Sequence, residues 1–527
     1  MDWSERTRKV LDFVWFVTWA IVSSVWCVTA AGELSATWDE PIYLHAGLER
    51  WRSGSHRPLI ERGVMPLPVE VVTLSLYFWE RFHGIQFDVT ADLDRFLPWA
   101  RAGNLIFWWL LLFFAWKAGC ELAGAWAGRI AVALLCCEPT LLAHASLATT
   151  DISIAACVVA LAYSYRNDRD SGWLRRVALP GLWLALALLA KASALVFAPL
   201  CLVVVGFVRN QSATEASLRP RDICNSLWRS LLDSRDVLMC EFVLALLYCF
   251  TAAEGLLRQV QQNVHGHAAG AYLLGESRPG GFWYYFPVAL SIKLTLPLLI
   301  LPVLLAVFRP RSLANWPCLS ATALLVATPT FRVQTGVQFV LPLVALAVVG
   351  LAGGVVLAWQ ACAPGRRRQM LTAGVVLSML WSGWSAVTVW PHGLCYANEL
   401  WGGTPNSYRL LSDSNFDWGQ GLKDLACWQR RNGITQLDVW YFGTDLPLSS
   451  LPMRRVYLED SPTADSAISA LAGHHLAVST TLLHGSHTQA GTLLHNYPTV
   501  ARTMTFVIYD FTHSSPLAIR NDSPHPR

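Results

Sequence analysis

The sequence predicts a mainly α-helical, polytopic membrane protein that ends in a small α/β domain. Hydrophobic residues make up 54% of the 527 residues, only 14% are charged, and apolar runs recur up to residue 390. A helix that crosses the hydrocarbon core of a bilayer needs ~20 predominantly apolar residues. Residues 391–527 contain no such run and are rich in polar residues and turn formers. We therefore expect a multi-span membrane domain over 1–390 and an extracytoplasmic α/β domain over 391–527.

About eleven apolar segments are expected to cross the membrane. The expected spans are 10–31, 97–116, 125–143, 148–165, 177–190, 194–208, 237–252, 283–307, 314–329, 337–359 and 369–390. No clear small-residue cleavage site follows the first span, which favours an anchor over a removed signal peptide. Residues 177–208 are too long for one ordinary span, so two short helices are expected to meet near Lys191.

The distribution of basic residues predicts the orientation of these spans. Lysine and arginine are concentrated at 166–176, 209–235, 308–311 and 366–368, and basic loops tend to remain in the cytoplasm. With eleven spans, the N-terminus is then cytoplasmic and the C-terminal domain lies outside the cytoplasm.

The C-terminal domain has patterns of both helix and strand. The stretch DWGQGLKDLACWQRRNG predicts a helix with Asp417 as its N-cap and Gln420 three residues later. Strands are predicted at QLDVWYFG, RRVYLE, HHLAVSTTLL and TFVIYDF, and a second helix at TADSAISALAG. Cys395 and Cys427 are the two cysteines in this polar region, and a disulfide between them is left open.

A group of charged residues is expected at the outer ends of the spans. Asp39 and Glu40 follow the first span, Asp151 begins the fourth, and four cations accompany them: Arg101, Lys191, Lys293 and Arg332. Helix capping is the structural alternative, with Glu40 before a helix that begins at Pro41 and Asp151 before the fourth span. Charges near hydrocarbon are costly, however, and are functional candidates by default.

This combination of charges suits the transfer of a sugar from a lipid phosphate. The phosphate gains negative charge as the sugar departs, and cations stabilise that charge. The attacking hydroxyl must lose a proton, for which a positioned carboxylate is suited. The sequence has no Walker A or Rossmann fingerprint and no nucleophile-elbow pattern. Its net charge of +4 is spread over several loops and does not suggest a nucleic-acid partner.

Several stretches resemble a known family. These are WDEPIYLHAG, ARAGNLIFWWLLL, EPTLLAHASLATTD, LALALLAKASAL, YLLGESRPGGFWYYFPVALSIKLTLP and LLSDSNFDWGQGLKDL, between about residues 38 and 445. In this order they resemble the bacterial family-39 type (phospholipid carrier-dependent) glycosyltransferases of the GT-C fold. These are related to the protein O-mannosyltransferases and the lipid A aminoarabinose transferases.

The resemblance implies roles for individual residues. Asp39 would be the catalytic base, and Glu40 would assist acceptor placement or orient the loop. Arg101 would contact the donor phosphate, Asp151 would organise the donor end of the site, and Lys191 and Lys293 match lysines suited to phosphate contact. The segment SDSNFDWGQ is typical of this subfamily, and its candidates for an acceptor or a structural role are Asp413, Asn415, Asp417 and Trp418.

The chain also departs from the family. Many relatives have Glu-His-Pro-Pro-Leu in the first outer loop, where Glu61 can be matched but the histidine cannot. Relatives often have an arginine at the position of Gln338, so a phosphate role is lost there, and whether Arg332 replaces it is open. A divalent metal ion is likewise left open as a cofactor. Its candidate ligands are Glu61, His265 and His267, with solvated loop residues as the alternative.

The expected function is the transfer of a hexosyl or pentosyl group from a polyprenyl-phosphate donor to a lipid, glycan or protein acceptor. One base and no second nucleophilic carboxylate suffice for a single displacement, which predicts inversion at the anomeric carbon. The reaction would take place on the outer face of the inner (plasma) membrane of the cell envelope. The alternatives are a transporter or flippase of lipid-linked sugars, which would favour charges near the midplane, and a non-catalytic membrane subunit.

Overall fold

The computed structural model describes residues 3–167, 172–212, 254–261, 270–444, 448, 451–458, 471–485 and 489–512. The helices of the first half are α1 (Trp3–Glu33), α2 (Asp39–Ser53), α3 (Arg57–Glu61), α4 (Pro66–His83), α5 (Leu93–Gly103), α6 (Leu105–Ala123), α7 (Ala125–Cys136), α8 (Pro139–Ala145), α9 (Asp151–Asn167), α10 (Leu179–Ala190) and α11 (Ala194–Ser212). Those of the second half are α12 (254–261), α13 (Tyr285–Lys293), α14 (Leu296–Phe308), α15 (Trp316–Ala327), α16 (Leu341–Gln360), α17 (Arg366–Val389), α18 (Leu422–Arg431), α19 (Thr480–Gly485) and α20 (Gln489–Leu494).

The chain is a multi-pass membrane protein by the length and composition of its helices, as the sequence predicts. Five helical segments in the described part of the chain are long and apolar enough to cross a membrane, or seven if two bent helix pairs each count as one span. The predicted segments at 148–165, 177–190 and 314–329 are shorter helices of 17, 12 and 12 residues. The predicted span at 237–252 lies outside the described residues.

The helix α16 lies at the centre of the bundle. It packs against α6, α7, α9 and α15. Of the apolar stretch in this helical segment, 89% is buried inside the protein, whereas only 17% is buried in the corresponding stretches of α1 and α17. Glycine allows the close approach to α15, because a Cβ at Gly350 would lie 2.6 Å from the backbone nitrogen of Cys318. The exposed apolar faces of α1 and α17 are those expected of helices at the periphery of a membrane bundle.

Two predicted spans are bent rather than straight. The helices α7 and α8 meet at 70°, and α13 and α14 meet at 112°. Pro139 and Pro297 lie in the first turns of α8 and α14, where a residue without an N–H is tolerated but cannot continue a preceding helix. The predicted break near Lys191 is also present, since α10 ends at Ala190 and α11 begins at Ala194.

The C-terminal part contains a five-stranded mixed sheet. A short hairpin of β1 (Ala271–Leu273) and β2 (Glu276–Arg278) precedes the strands β3 (Leu437–Trp440), β4 (Arg454–Arg455), β5 (His475–Ser479), β6 (Ala501–Arg502) and β7 (Phe506–Asp510). The order is β4-β3-β5-β7-β6, with β3 parallel to β4 and β5, and β7 antiparallel to β5 and β6. The four predicted strands are confirmed as β3, β4, β5 and β7. Most of the predicted helix TADSAISALAG lies outside the described residues.

The helix after the SDSNFDWGQ segment begins later than predicted. It starts at Leu422 with Gly421 as its N-cap, and no side chain caps it. Asp417 is instead buried and accepts hydrogen bonds from the backbone N–H of Gly419 and of Thr481. The capping interpretation of Asp417 and Gln420 is therefore wrong, because the carboxylate is used to join two distant segments.

Cys395 and Cys427 do not form the disulfide that the sequence left open. Both are free thiols, and the Cys395 Sγ is buried 3.1 Å from the carbonyl oxygen of Phe416. Cys427 lies on α18 beside Arg430.

Candidate functional site

A cavity of about 1080 Å³ brings together residues from distant parts of the chain. It is lined by the start of α2, the α10–α11 break, the loop before α16 and the SDSNFDWGQ segment. Six of the predicted site residues line it: Asp39, Asp151, Lys191, Arg332, Asp413 and Trp418. The other predicted site residues that the structure describes lie outside its lining. The site predictions thus separate into a group on the cavity wall and a group elsewhere.

Asp39 is a half-buried carboxylate on the cavity wall. It is the first residue of α2, whose N-cap is Trp38, and no side-chain capping bond is made there. The Tyr43 hydroxyl, one turn later, donates a hydrogen bond of 3.1 Å to the Asp39 Oδ2. Burial raises the pKa of Asp39 to about 6, against the opposing effects of the Tyr43 hydrogen bond and of Lys191. Asp39 is thus a stronger base than an ordinary exposed aspartate.

Glu40 points away from the cavity and forms a buried ion pair. Successive residues of a helix are rotated by about 100°, so adjacent carboxylates face different surroundings. The Arg101 Nε lies 2.8 Å from one Glu40 carboxylate oxygen and its terminal nitrogen 2.7 Å from the other, with both side chains 0% exposed. Burial opposes the charge, but Arg101 and the backbone N–H groups of Thr37 and Ala148 lower the pKa of Glu40 overall. The interpretation of Glu40 as an N-cap before Pro41 is wrong, since α2 has already begun at Asp39.

The Glu40–Arg101 pair joins the backbone around the cavity. The Glu40 carboxylate accepts from the N–H of Thr37 and from that of Ala148, three residues before Asp151. The Arg101 guanidinium also donates to three carbonyls at and just after the end of α1: Ala31, Leu34 and Ser35. Every hydrogen-bonding nitrogen of Arg101 is therefore occupied by the protein. The expected contact of Arg101 with a donor phosphate has no support from this geometry.

Asp151 and Lys191 form a second ion pair, which lies at the cavity wall. The Lys191 Nζ lies 2.6 Å from the Asp151 Oδ1, with the aspartate side chain 2% exposed and the lysine side chain 13% exposed. The same ammonium lies 4.3 Å from the centroid of the Phe339 ring. The carboxylate of Asp151 thus holds a cation at the cavity, which is a more specific role than the helix cap considered as the alternative.

Lys293 is buried behind the cavity. Its Nζ donates to the carbonyl oxygens of Leu394 and Asn415, at 2.6 Å and 2.8 Å. The Asn415 side chain in turn accepts from the Val337 N–H and donates to the Tyr285 hydroxyl. These bonds attach the 394–415 segment to α13 and to the loop before α16. Lys293 and Asn415 therefore occupy positions suited to holding the cavity wall rather than to contacting a ligand.

The SDSNFDWGQ segment closes one side of the cavity. Backbone bonds from Ser35 to Gln420 and from Trp38 to Trp418 dock it on the chain just before α2. Asp413 has a φ of +56°, an unusual conformation for a residue other than glycine, and lines the cavity. Burial raises the pKa of Asp413 to about 7, and the charge of Asp39 acts in the same direction. The charge of Asp39 thus acts on Asp413 across the site.

Several cavity residues were not among the sequence candidates. Arg62 lies on the wall, one residue after the Glu61 that the sequence singled out. Phe442, two residues after β3, stacks on Trp38 with ring centroids 5.3 Å apart. Gln338 lines the wall beside Phe339. In the sequence, Arg62 is visible as a basic residue next to the candidate Glu61. No local pattern indicates that Phe442 lies at the site.

The three cations of the wall have different surroundings. Lys191 pairs with Asp151, and Arg62 lies beside His45 and Glu49. Arg332 is exposed and has no hydrogen-bond or ion-pair partner among the residues that the structure describes. Its charge is therefore available to an anionic ligand in the cavity.

The residues considered for a metal do not form a site in the described part of the chain. Glu61 is exposed and pairs with Arg57 at 2.7 Å, while His265 and His267 lie outside the described residues. Within the described ranges there is no group of three or more His, Cys, Asp or Glu side chains arranged to hold a metal ion.

Comparison with known proteins gives structural neighbours but no sequence family. No family model and no curated protein matches the chain. It is similar to the crystal structure of ArnT from Cupriavidus metallidurans bound to undecaprenyl phosphate, at 15% identity and a TM-score of 0.44 over 94% of this chain and 97% of that chain. It is also similar to the archaeal oligosaccharyltransferase AglB from Archaeoglobus fulgidus in complex with an inhibitory peptide and a dolichol-phosphate. That match has 12% identity and a TM-score of 0.47 over 98% of this chain and 76% of that chain.

Both TM-scores lie below 0.5 and both identities lie below 25%. The likeness is distant, and it transfers no residue role to this chain. The fold class rests on the apolar helices and the C-terminal sheet of the chain itself.

Proposed function

We propose that the protein is a glycosyltransferase that moves a sugar from a polyprenyl-phosphate donor to an acceptor hydroxyl, with inversion. The observation that carries the proposal is the cavity in which Asp39 faces the same space as Lys191 and Arg332. A carboxylate can accept the proton of an attacking hydroxyl, and cations can stabilise a departing phosphate. Both kinds of group are required by this reaction, and the cavity contains both.

In this proposal, the donor phosphate binds at the end of the cavity that contains Lys191. Asp151 holds the Lys191 ammonium at 2.6 Å, so the cation is preorganised before a ligand arrives. Arg332 adds a second positive charge that no described residue neutralises. The sugar then lies between these cations and Asp39, where a hydroxyl activated by the carboxylate can attack the anomeric carbon. A single displacement in this arrangement inverts the anomeric configuration.

Glu40, Arg101, Lys293 and Asn415 are assigned positioning roles in this proposal. Their side chains make bonds that connect the chain before α2, α5, α13 and the SDSNFDWGQ segment. These bonds stabilise the backbone segments that carry the cavity-lining residues. This assignment replaces phosphate contact for Arg101 and Lys293.

The positions of the basic loops support one orientation of the protein in the membrane. We propose that residues 1–390 form the catalytic membrane domain, that residues 391–527 form an extracytoplasmic domain, and that the cavity opens on the outer face of the inner membrane. Arginines at 366–368 and at 309 and 311 would then lie on the cytoplasmic side.

The proposed function is tested with purified protein in lipid nanodiscs. The donors are undecaprenyl phosphates that carry radiolabelled mannose, glucose, galactose or arabinose, and the acceptors are lipid, glycan and protein fractions of the cell envelope. Label should leave the carrier only when an acceptor is present. A transporter would move the donor between leaflets without breaking its glycosidic bond, and a non-catalytic subunit would do neither.

The pH dependence of transfer should report the base. Because Asp39 must be ionised to accept a proton and its pKa is raised to about 6, kcat/KM should be constant at neutral pH and fall as the pH drops through about 6. The decline should approach tenfold per pH unit. The measurement is kcat/KM from pH 4.5 to 8.5 at constant ionic strength. A flat profile between pH 5 and 8 would contradict a base with this environment.

Replacing Lys191 by Met should weaken donor binding by about ten- to a hundredfold, as expected for the loss of a charge-assisted contact. The measurement is the Kd for undecaprenyl phosphate, with Lys117→Met, an exposed lysine on α6 outside the cavity lining, as the matched control. Since the single change leaves the Asp151 carboxylate unpaired, the double variant Asp151→Asn/Lys191→Met separates binding from folding. The double variant should recover stability but not donor affinity. Recovery of both would mean that Lys191 serves only to neutralise Asp151.

A further inference from the structure

A second concave surface lies between α16 and α17, at the far end of α16 from the cavity. This α16–α17 groove has a volume of about 630 Å³ and is lined by Trp359, the loop after α16, and α17 up to Leu380. Gln338 and Phe339 of the cavity lie just before α16, whereas Trp359 is its penultimate residue. A helix of 20 residues is about 30 Å long, which is also about the thickness of the hydrocarbon core. The groove and the cavity therefore lie at opposite ends of the bundle.

The face of α17 that lines the groove is charged at one end and apolar at the other. Residues four positions apart lie on the same face of a helix. Arg368 and Thr372 begin such a row, and Val376 and Leu380 continue it, with Leu377 beside them. The three apolar residues of this set are exposed. The groove thus suits a ligand that has a polar head and an apolar tail.

Arg368 is held in position at the charged end of the groove. Its guanidinium carbon lies 3.3 Å from the centroid of the Trp359 ring. The ring is fixed in turn, because the Trp359 Nε1 donates to the Thr372 Oγ1 at 3.1 Å. In the part of the chain that the structure describes, the Arg368 side chain has no hydrogen bond and no ion pair. A guanidinium that stacks through its face keeps the N–H groups of its edge for binding phosphate.

The surroundings of Arg368 add positive charge that no described residue neutralises. The sequence has no Asp or Glu in 277–398. Arg366 and Arg367 are exposed and directly precede Arg368. The terminal nitrogen of Arg309 donates to the carbonyl oxygen of Ala361, just after the end of α16, at 3.1 Å. This concentration of arginines favours an anionic ligand.

We propose that the α16–α17 groove binds an anionic phospholipid, with its phosphate against Arg368 and an acyl chain along Val376 and Leu380. Acyl chains cover every lipid-facing helix, and neutral phospholipids also have a phosphate. Neutral phospholipids carry an ammonium group beside that phosphate, however, which the arginines repel. Basic pockets between spanning helices bind anionic headgroups. The inference is independent of the proposed function, because the groove and the cavity share no lining residue.

The test measures lipid binding to the full-length protein by native mass spectrometry. The probes are dioleoyl phosphatidylglycerol and dioleoyl phosphatidylcholine, which have the same acyl chains but differ in net charge. Wild type should bind phosphatidylglycerol more tightly. Arg368→Gln should lower that affinity about fivefold, the usual contribution of one basic residue near the headgroups, and bring the ratio of the two affinities toward one.

Arg176→Gln is the matched control for charge. Arg176 is exposed and precedes α10, whose other end reaches the cavity at Lys191, so it lies at the same end of the bundle as the groove. It does not line the groove. Its replacement should leave both affinities unchanged.

A second pair of variants tests the groove without removing charge. Ala373 lines the groove and is exposed, so Ala373→Phe fills the space for the acyl chain while every arginine stays in place. This variant should weaken phosphatidylglycerol binding at least as much as Arg368→Gln does. Val387→Phe adds the same ring to an exposed position of α17 outside the groove and should bind like wild type. If Arg368→Gln unfolds at a lower temperature than wild type, this second pair decides.

Four results would overturn the inference. Wild type could bind both lipids equally, or Arg176→Gln could lose as much affinity as Arg368→Gln, which would indicate attraction to the whole basic surface. Ala373→Phe could bind phosphatidylglycerol like wild type, which would exclude the groove from the contact. Finally, wild type could be a dimer without bound lipid that Ala373→Phe dissociates, which would make a second copy of the chain the occupant.

Discussion

Asp39→Asn is expected to reduce turnover by about 10²–10⁴-fold, the usual contribution of a general base. The substitution keeps the shape of the side chain and its hydrogen bond with the Tyr43 hydroxyl, but the amide cannot accept the proton of the acceptor. The affinity for undecaprenyl phosphate should remain near that of wild type, because Lys191 and Arg332 are intact. The measurements are single-turnover transfer and the donor Kd on the same preparation.

The stability of Asp39→Asn separates catalysis from folding. Since burial raises the pKa of Asp39 in the folded protein, its proton binds more tightly in the folded than in the unfolded state. The ionised group therefore opposes folding above pH 6, and the neutral amide should unfold at the same temperature or a higher one. A loss of turnover with a lower unfolding temperature would point to a structural role.

A near-wild-type rate in Asp39→Asn would place the base elsewhere. Asp151 is a poor alternative, because its carboxylate is bonded to Lys191. Asp413 is better placed, because it lines the cavity and burial raises its pKa to about 7. Asp413→Asn in the same assay should otherwise retain measurable turnover, since Asp39 is still present.

The membrane helices, which recur along the chain, and the strands of the C-terminal sheet could be predicted from the sequence. Apolar runs of spanning length identify helices because the hydrocarbon core imposes the length of each run. The break at Lys191 was predicted because 32 apolar residues exceed one span, and the strands because their residue types are distinctive. The bends at Pro139 and Pro297 were missed, although each proline was visible. The apolar runs continue across both prolines, so hydropathy alone gives no sign of a bend at either position.

The sequence predicts which residues belong to the candidate site, but not how they are arranged in space. Asp39, Asp151 and Lys191 were selected as charges at the ends of spans, and they do share a cavity. The same reasoning selected Lys293, which lies behind the wall. Charge placement along the chain cannot distinguish a cation that faces a cavity from one that binds carbonyls, because its partners Leu394 and Asn415 are 101 and 122 residues away.

The roles of the adjacent acids could not be separated from sequence alone. Asp39 and Glu40 differ because the helix rotates between them and because Arg101 follows 61 residues later. The capping interpretation relied on Pro41 as the first helical residue, whereas proline is tolerated throughout the first turn. The helix therefore began two residues earlier than the pattern suggested, and the two carboxylates faced different surroundings.

Arg101→Met is expected to destabilise the protein by about 3–5 kcal/mol, the cost of leaving a buried charge without its partner. The change leaves the Glu40 carboxylate, which is 0% exposed, without its charged partner. It also removes the hydrogen-bond donors to the carbonyls of Ala31, Leu34 and Ser35. The chain between the first span and α2 should loosen, and Asp39 with it. The measurement is the free energy of unfolding in a denaturing detergent, together with the yield of folded protein from membranes.

Two further variants identify the cause of that loss. Glu40→Gln/Arg101→Met should be more stable than Arg101→Met, since the amide oxygen can still accept from Thr37 or Ala148 without leaving a buried charge. Arg57→Met breaks an ion pair on the surface and should have no measurable effect, because exposed pairs contribute little. If Arg101→Met instead unfolds like wild type but binds undecaprenyl phosphate ten- to a hundredfold more weakly, as the loss of one charge-assisted contact predicts, Arg101 contacts the donor after all. The positioning role assigned to the Glu40–Arg101 pair would then be wrong, since a guanidinium held only by the protein cannot affect the phosphate without affecting the fold.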